Sequence, residues 1–203
     1  MYKKNLFENK SHKRNIERTI VDIFKSKKVS GNYIGLTGPT PRTHYENWSR
    51  LLGVKNVFNI CEIDKEVYKI QQDDIKTAEK HHKITLNLKD IFKFAMEYNK
   101  KIGVLDLDLC KGLSTLEDNI LETLENIFRK KGFRQEGAGI TICYTPRREK
   151  SSYIKTQNII RDIKRMAIEN QYRVRYCSEE HYKEGQSMIE LAFIVSRDAN
   201  DRW

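Results

Sequence analysis

Proline is scarce, three residues in 203, and two of the three, Pro39 and Pro41, sit almost side by side. That scarcity excludes a polyproline or collagen-like chain and concentrates the backbone's main interruption at a single place. Long apolar runs are missing as well. The stretch around Leu191 to Val195 is far below the roughly 20 residues that a membrane-spanning helix needs, so no membrane span is expected. The basic residues near Met1 are followed by no continuous apolar region and no small-residue cleavage site, which predicts a cytoplasmic protein. The four cysteines, Cys61, Cys110, Cys143 and Cys177, lie 33 to 49 residues apart, with no close pair to start a zinc site or a tight disulfide framework. They read as free thiols on buried strands, and His44, His81, His82 and His181 lack metal-ligand spacing and read as surface or loop residues.

What the chain has in excess is positive charge, a formal +10. Residues 1 to 28 hold nine Lys/Arg against three Asp/Glu, and Arg147 to Arg165 hold seven against two. Two basic segments flanking a folded core predict a polyanionic partner, RNA or DNA, contacted by Lys13, Arg14 and Arg18 in the first segment and Arg147, Arg148 and Lys150 in the second. Tyr144 or Tyr153 beside the second segment is a candidate to stack on a base.

Helical and strand patterns alternate, as in a parallel sheet covered on both faces. Residues 1–29 read as a basic helical extension, with Ile16, Ile20, Ile23 and Phe24 on one face from Ser11 to Lys27, and 30–203 as one α/β domain. Strands are predicted at Asn32 to Leu36, Val57 to Cys61, Lys83 to Leu88, Ile102 to Leu107 and Ala138 to Tyr144. Capping boxes at Thr43/Glu46 and Ser114/Glu117 predict two helix starts, and Asp64 caps a helix carrying Val67, Ile70, Ile75 and Ala78. Two last strands, Tyr172 to Cys177 and Met188 to Ser196, joined by a polar loop of about ten residues, are too close for a parallel crossover and so pair antiparallel.

In such a sheet, ligands bind at the carboxyl ends of the strands near the reversal of strand order. The residues there are Gly35, Thr37, Gly38 and Thr40 after the first strand, Glu62 and Asp64 after the second, Asp90 after the third, and Asp106, Asp108, Cys110 and Lys111 after the fourth.

Over about residues 30 to 197 this layout resembles the class I, Rossmann-like S-adenosylmethionine-dependent methyltransferases. The resemblance implies a three-layer sandwich around a mostly parallel seven-stranded sheet of order 3-2-1-4-5-7-6, with an antiparallel last strand, and S-adenosylmethionine as cofactor. Ile34-Gly35-Leu36-Thr37-Gly38 stands where that family has its glycine-containing cofactor loop; Cys61-Glu62-Ile63-Asp64 is similar to its acidic ribose-binding motif, with Glu62 the ligand; Asp90 and Ile91 occupy the adenine-contacting element. Asp106-Leu107-Asp108-Leu109-Cys110 resembles the Asp-Pro-aromatic motif of some tRNA guanine methyltransferases, making Asp108 a candidate for the acceptor or the methionine part of the cofactor; Asp106 is expected to be structural. Cys110 is the second catalytic candidate, as a thiolate able to add to a cytosine ring, although the Pro-Cys dipeptide of such enzymes is absent. Pro39, Thr40 and Pro41 follow the second glycine, and Leu109 and Cys110 replace the proline and aromatic ring. The function expected is methyl transfer to nucleic acid; the alternative is a methyltransferase-like fold that binds nucleic acid without catalysis.

Overall fold

The computed structural model describes residues 11–52, 55–76, 83–146, 152–184 and 186–197. Helix α1 (Ser11–Ser26) buries Ile16, Ile20, Val21 and Phe24 on one stripe, which is the spacing the sequence shows. It is followed by β1 (Asn32–Gly35), whose four residues are all buried. The prolines then act as punctuation: Pro41 occupies the first turn of α2 (Pro41–Trp48), where its missing N–H costs nothing and its fixed φ favours the helix. The expected Thr43/Glu46 capping box is therefore not formed. The helix starts earlier, with Thr40 as N-cap and no side-chain cap bond.

Strand β2 (Phe58–Glu62) leads through Asp64 into α3 (Lys65–Lys76). Asp64 Oδ1 accepts from the N–H groups of Glu66 and Val67, the expected cap. Val67 is buried on α3 and Ile70 is exposed, while Ala78 falls outside the described residues. Strand β3 (Ile84–Leu88) precedes α4 (Ile91–Glu97), a helix too short for its periodicity to stand out in the sequence. Strand β4 (Ile102–Gly112) runs five residues past the predicted Leu107, carrying Asp108 and Cys110 within the strand. A 3-10 turn over Leu113–Thr115 then intervenes before α5 (Glu117–Arg129), so the N-cap is Leu116, with no side-chain bond, and not the expected Ser114. Glu117 and Asp118 nonetheless sit in the first turn of α5, where negative charge suits the helix dipole.

Strand β5 (Ala138–Thr145) and α6 (Ser152–Glu169) complete the alternation. The chain closes with β6 (Arg173–Glu184) and β7 (Gln186–Ser196), an antiparallel pair as expected but with no ten-residue loop: the polar segment after Cys177 continues as strand, with Tyr182 opposite Met188 and Glu184 opposite Gln186. The sheet order is β3-β2-β1-β4-β5-β7-β6, with β1 to β5 parallel and β7 antiparallel to β5.

Two cores cover the two faces. On one, α1 and α2 bring Phe24, Tyr45 and Trp48 against Tyr33, Phe58, Val104, Cys143 and Ile194; on the other, α4, α5 and α6 bury Ala95, Ile120, Leu124, Phe128 and Ile163 against Leu105, Leu107, Ile140 and Ile142. Cys61 and Cys143 are buried on strands, as expected, and Cys177 is half-buried.

Gly139 marks how tightly α1 is seated. A Cβ there would run into the Phe24 ring, so Gly139→Ala forces the fully buried Phe24 and its helix outward. We expect a loss of about 1–3 kcal/mol by denaturant titration, the range for overpacking a core; an unchanged midpoint would show that α1 yields without cost.

Candidate functional site

A pocket of about 410 Å³ opens at the carboxyl ends of β1 to β4. Thr37 and Gly38 line it after β1, Glu62 and Ile63 after β2, and Asp90, Ile91 and Phe92 after β3, while Asp108 and Leu109 come from β4. Parallel strands all deliver their ends to one edge, which is why residues so distant in sequence meet. Helices α1 and α2 close the other side with Lys13, Arg14, Glu17 and His44. Arg18, one turn further along α1, is exposed. Arg147, Arg148 and Lys150 lie outside the described residues, and Cys110 is placed only as a residue of β4.

Local chemistry fixes several of these residues. Gly38 adopts φ +61, a left-handed turn that suits glycine, and its carbonyl accepts from Gln71 Nε2 at 2.7 Å, tying the loop to α3. Gly35 is not among the pocket-lining residues: a Cβ there would collide with the ring and hydroxyl of Tyr33, so its smallness serves packing inside the sheet. Glu62 Oε1 accepts from the N–H groups of Ile63 and Asp64 at 2.8 and 2.9 Å, which holds the carboxylate at the pocket edge. Asp90 caps α4, its Oδ1 accepting from Lys93 N–H at 3.0 Å. Asp108 forms an ion pair with Lys13, each side chain only 13% exposed.

Beneath the pocket lies a buried polar network. His44, read from the sequence as a surface or loop histidine, is 7% exposed on α2. Its Nδ1 faces Glu17 Oε1 at 3.4 Å, and its Nε2 lies 2.9 Å from Asp106 Oδ2. Tyr33 donates to the same Asp106 oxygen at 2.5 Å, Thr141 donates to Asp106 Oδ1 at 2.6 Å, and Asn47 donates to Glu17 Oε2 at 2.8 Å. Asp106 is thus the hub joining β1, β4, β5 and α2, the structural part expected of it. Burial works against a charged imidazole, but the Glu17 and Asp106 carboxylates outweigh it and raise His44 to about 10. Burial likewise opposes charge on Glu17, yet His44, Lys13 and Asn47 together hold it below its ordinary value. Glu190 on β7, 2% exposed, is pushed well above the carboxylate range by burial and by Asp106, and its Oε2 has no hydrogen-bond partner.

The sequence held one clue to His44: it precedes Trp48 by four residues, the spacing that puts two side chains on one helical face, and their rings pack 5.9 Å apart. The expected stacking role divides differently. Tyr144 is 1% exposed and hydrogen-bonded to Thr156, so its ring is sealed in the core and unavailable to a base, whereas Tyr153 is 68% exposed. Among the described residues no group of His, Cys, Asp and Glu is arranged to hold a metal ion, and no helix is long and apolar enough to cross a membrane.

No protein-family model matches the sequence, and no curated protein matches it. Solved structures do match in fold. A protein of Clostridium thermocellum named as an rRNA-methylase superposes with a TM-score of 0.59 at 9% identity, over 88% of this chain and 94% of its own. Precorrin-6y C5,15-methyltransferase of Geobacter metallireducens gives 0.56 at 12% identity, over 97% and 93%. TYW2 of Pyrococcus horikoshii, solved in complex with MeSAdo, gives 0.54 at 13% identity, over 90% of this chain and 62% of its own. At such identities the likeness is one of fold. The fold is that of the class I, Rossmann-like S-adenosylmethionine-dependent methyltransferases.

Proposed function

We propose that this chain is an S-adenosylmethionine-dependent methyltransferase acting on nucleic acid. The observation that carries the reading is the single pocket in which Gly38, Glu62, Asp90 and Asp108 meet the basic residues Lys13 and Arg14 of α1. In this reading residues 1–29 are a basic extension and 30–203 the catalytic domain, with α1 packed into the domain's own core.

The donor set suits the cofactor. A carboxylate accepts from both hydroxyls of a ribose diol, the role assigned to Glu62; Asp90 offers an acceptor to the adenine amine, with Ile63, Ile91 and Phe92 as apolar walls; and Thr37 and Gly38 present backbone to the methionine part. The pocket volume falls within the roughly 300–1,000 Å³ usual for small-molecule sites. The bound cofactor would supply an electrophilic methyl group on a sulfonium. Asp108 stands on β4 at the pocket wall to address the acceptor, and Cys110 follows it on the same strand. Arg14 and the exposed Arg18 give α1 a cationic rim for phosphates.

Calorimetry with S-adenosylhomocysteine tests the cofactor, and RNA and duplex DNA binding between 50 and 200 mM salt tests the polyanion. We expect measurable heat with the former and about a tenfold or larger loss of affinity with the latter, since each neutralised phosphate steepens the salt dependence. Nucleic-acid binding without any cofactor heat would make the chain a binding protein on a methyltransferase-like fold. Flat salt dependence would remove the nucleic-acid substrate.

A further inference from the structure

We infer that the amino-terminal edge of the sheet, opposite the pocket, is a second nucleic-acid surface, reached from the pocket along the outer face of α1. This rests on the nucleic-acid part of the proposed function and is independent of methyl transfer.

Charge is sorted between the two edges of the sheet. Around the pocket, the carboxyl-terminal parts of β2 to β4 and the residues that follow them bring Glu62, Asp64, Asp90 and Asp108. At the other edge, each of the six strands that begin there is entered past a cation. Lys28 precedes β1, Lys55 β2, Lys83 β3, Lys101 β4 and Lys131 β5, and Arg173 opens β6, which runs with β5 because β7 is antiparallel to both. Among the described residues, the connections into β1 to β5 hold nine Lys/Arg against one carboxylate. That carboxylate, Glu136, is itself paired with Arg134.

Cations at this edge have an ordinary structural use, because helices end there and their last carbonyls attract positive charge. Lys101, Lys130 and Lys131 serve that use, donating to the carbonyls of Lys131, Met96 and Asn170. The surplus outruns the need. The five helices that lead into β1 to β5 bring roughly half a negative charge each, about a third of the positive excess. Lys28, Lys55 and Lys100 are exposed and form no ion pair among the described residues. Charge of one sign gathered this way repels itself, and a polyanion laid across it removes the repulsion.

Helix α1 joins the two edges. It runs from Lys13 and Arg14 at the pocket toward Lys28 at the far side, and its 16 residues span about 24 Å. Arg14, Arg18 and Lys25 are spaced by four and seven residues and so lie on one stripe of the helix; Arg18 and Lys25 are exposed. The exposed acid of α1, Asp22, is paired with Arg50 at 2.8 Å. A nucleic-acid strand carries a phosphate about every 3.4 Å of helix axis, so about seven phosphates would follow that stripe. The acidic strand ends repel the backbone elsewhere around the pocket, which leaves the α1 side as the exit of matching charge. At the β6 end of the far edge, a groove of about 580 Å³ lined by Lys164, Arg173 and the exposed Ile168 offers charge and apolar surface together to a sugar–phosphate chain.

Two measurements on the full chain test this, both with a mixed-sequence RNA of about 20 nucleotides, longer than the stripe. The first compares wild type with Lys28→Gln/Lys55→Gln/Lys100→Gln. Affinity should fall about tenfold or more, and the slope of log K against log salt should drop by about two, at roughly 0.7 per lost single-strand phosphate contact. The melting temperature should be no lower than that of the wild type, and any heat with S-adenosylhomocysteine should persist. Wild-type RNA affinity in the variant overturns the inference and leaves the proposed function standing. Failure of the wild type itself to bind RNA in a salt-dependent way removes the nucleic-acid reading, and this surface with it. The second needs no substitution: lysines of the wild type are acetylated with and without the RNA and read by peptide mass spectrometry. Protection of Lys25, Lys28, Lys55 and Lys100, with the exposed Lys69 of α3 still reactive, is the expected pattern; absence of protection at the four overturns the inference.

Discussion

Replacing His44 with alanine is expected to destabilise the protein by about 3–5 kcal/mol, the usual consequence of removing one partner from a buried ion pair. The change leaves Glu17, 5% exposed, and Asp106, 2% exposed, without the cation that both face. For a chain of this length that corresponds to a melting temperature lower by on the order of 10 °C. The pH dependence carries a sign that separates this account from simple loss of packing. His44 is raised from an ordinary 6.5 to about 10 in the fold, so its contribution is complete below about 6.5 and fades as the pH climbs through 10. Glu17, held below its ordinary value, contributes above the carboxylate range and fades on acidification. The wild type should therefore lose stability between neutrality and pH 10, and His44→Ala should flatten that limb. Chemical denaturation at pH 7 and pH 9.5 is sufficient; equal stability differences at the two values would mean that the imidazole is neutral in the fold.

Glu62→Ala should abolish most cofactor affinity. Two charge-assisted hydrogen bonds to a ribose diol are worth about 3–5 kcal/mol together, or roughly a hundred- to several-thousandfold in Kd. Part of the loss would come from the protein itself, since Glu62 Oε1 also holds the N–H groups of Ile63 and Asp64. Glu62→Gln retains one acceptor oxygen and should fall between wild type and alanine. Titration calorimetry with S-adenosylhomocysteine reads the effect, and a thermal melt shows whether the fold survives. Affinity within threefold of wild type for the alanine variant would place the nucleoside elsewhere.

The central strands were legible in the sequence because a buried parallel strand is nearly continuous in apolar residues, and Ile102 to Leu107 and Ala138 to Tyr144 are of that kind, whereas their order came from the resemblance to the class I methyltransferases. The positions of Glu62, Ile63, Asp90 and Asp108 around one pocket followed from the orientation of parallel strands, which bring the carboxyl-terminal parts of β2, β3 and β4 to one edge of the sheet. His44 escaped because its burial is decided by Glu17 and Asp106, partners distant along the chain that no local pattern reveals. The stretch from Ser178 to Glu184 looked like a loop because it lies on the last strand of the sheet, where one side meets water and the apolar alternation is lost. Helix starts were misjudged for a related reason: a Ser or Thr followed by Glu at the right distance signals a cap only when the backbone begins to coil there, and Pro41 and the 3-10 turn at Leu113 moved both starts.

Strand β6 closes the sheet on one side, and twelve residues of backbone there could template a neighbouring molecule's strand. Arg173 and Arg175 at one end, and Glu179 and Glu180 further along, stud that margin with charge. A second copy approaching in either direction would have to strip water from these groups before any ladder could form. The same polar run that concealed the strand from a pattern reading thus raises the cost of pairing so long a border with its like.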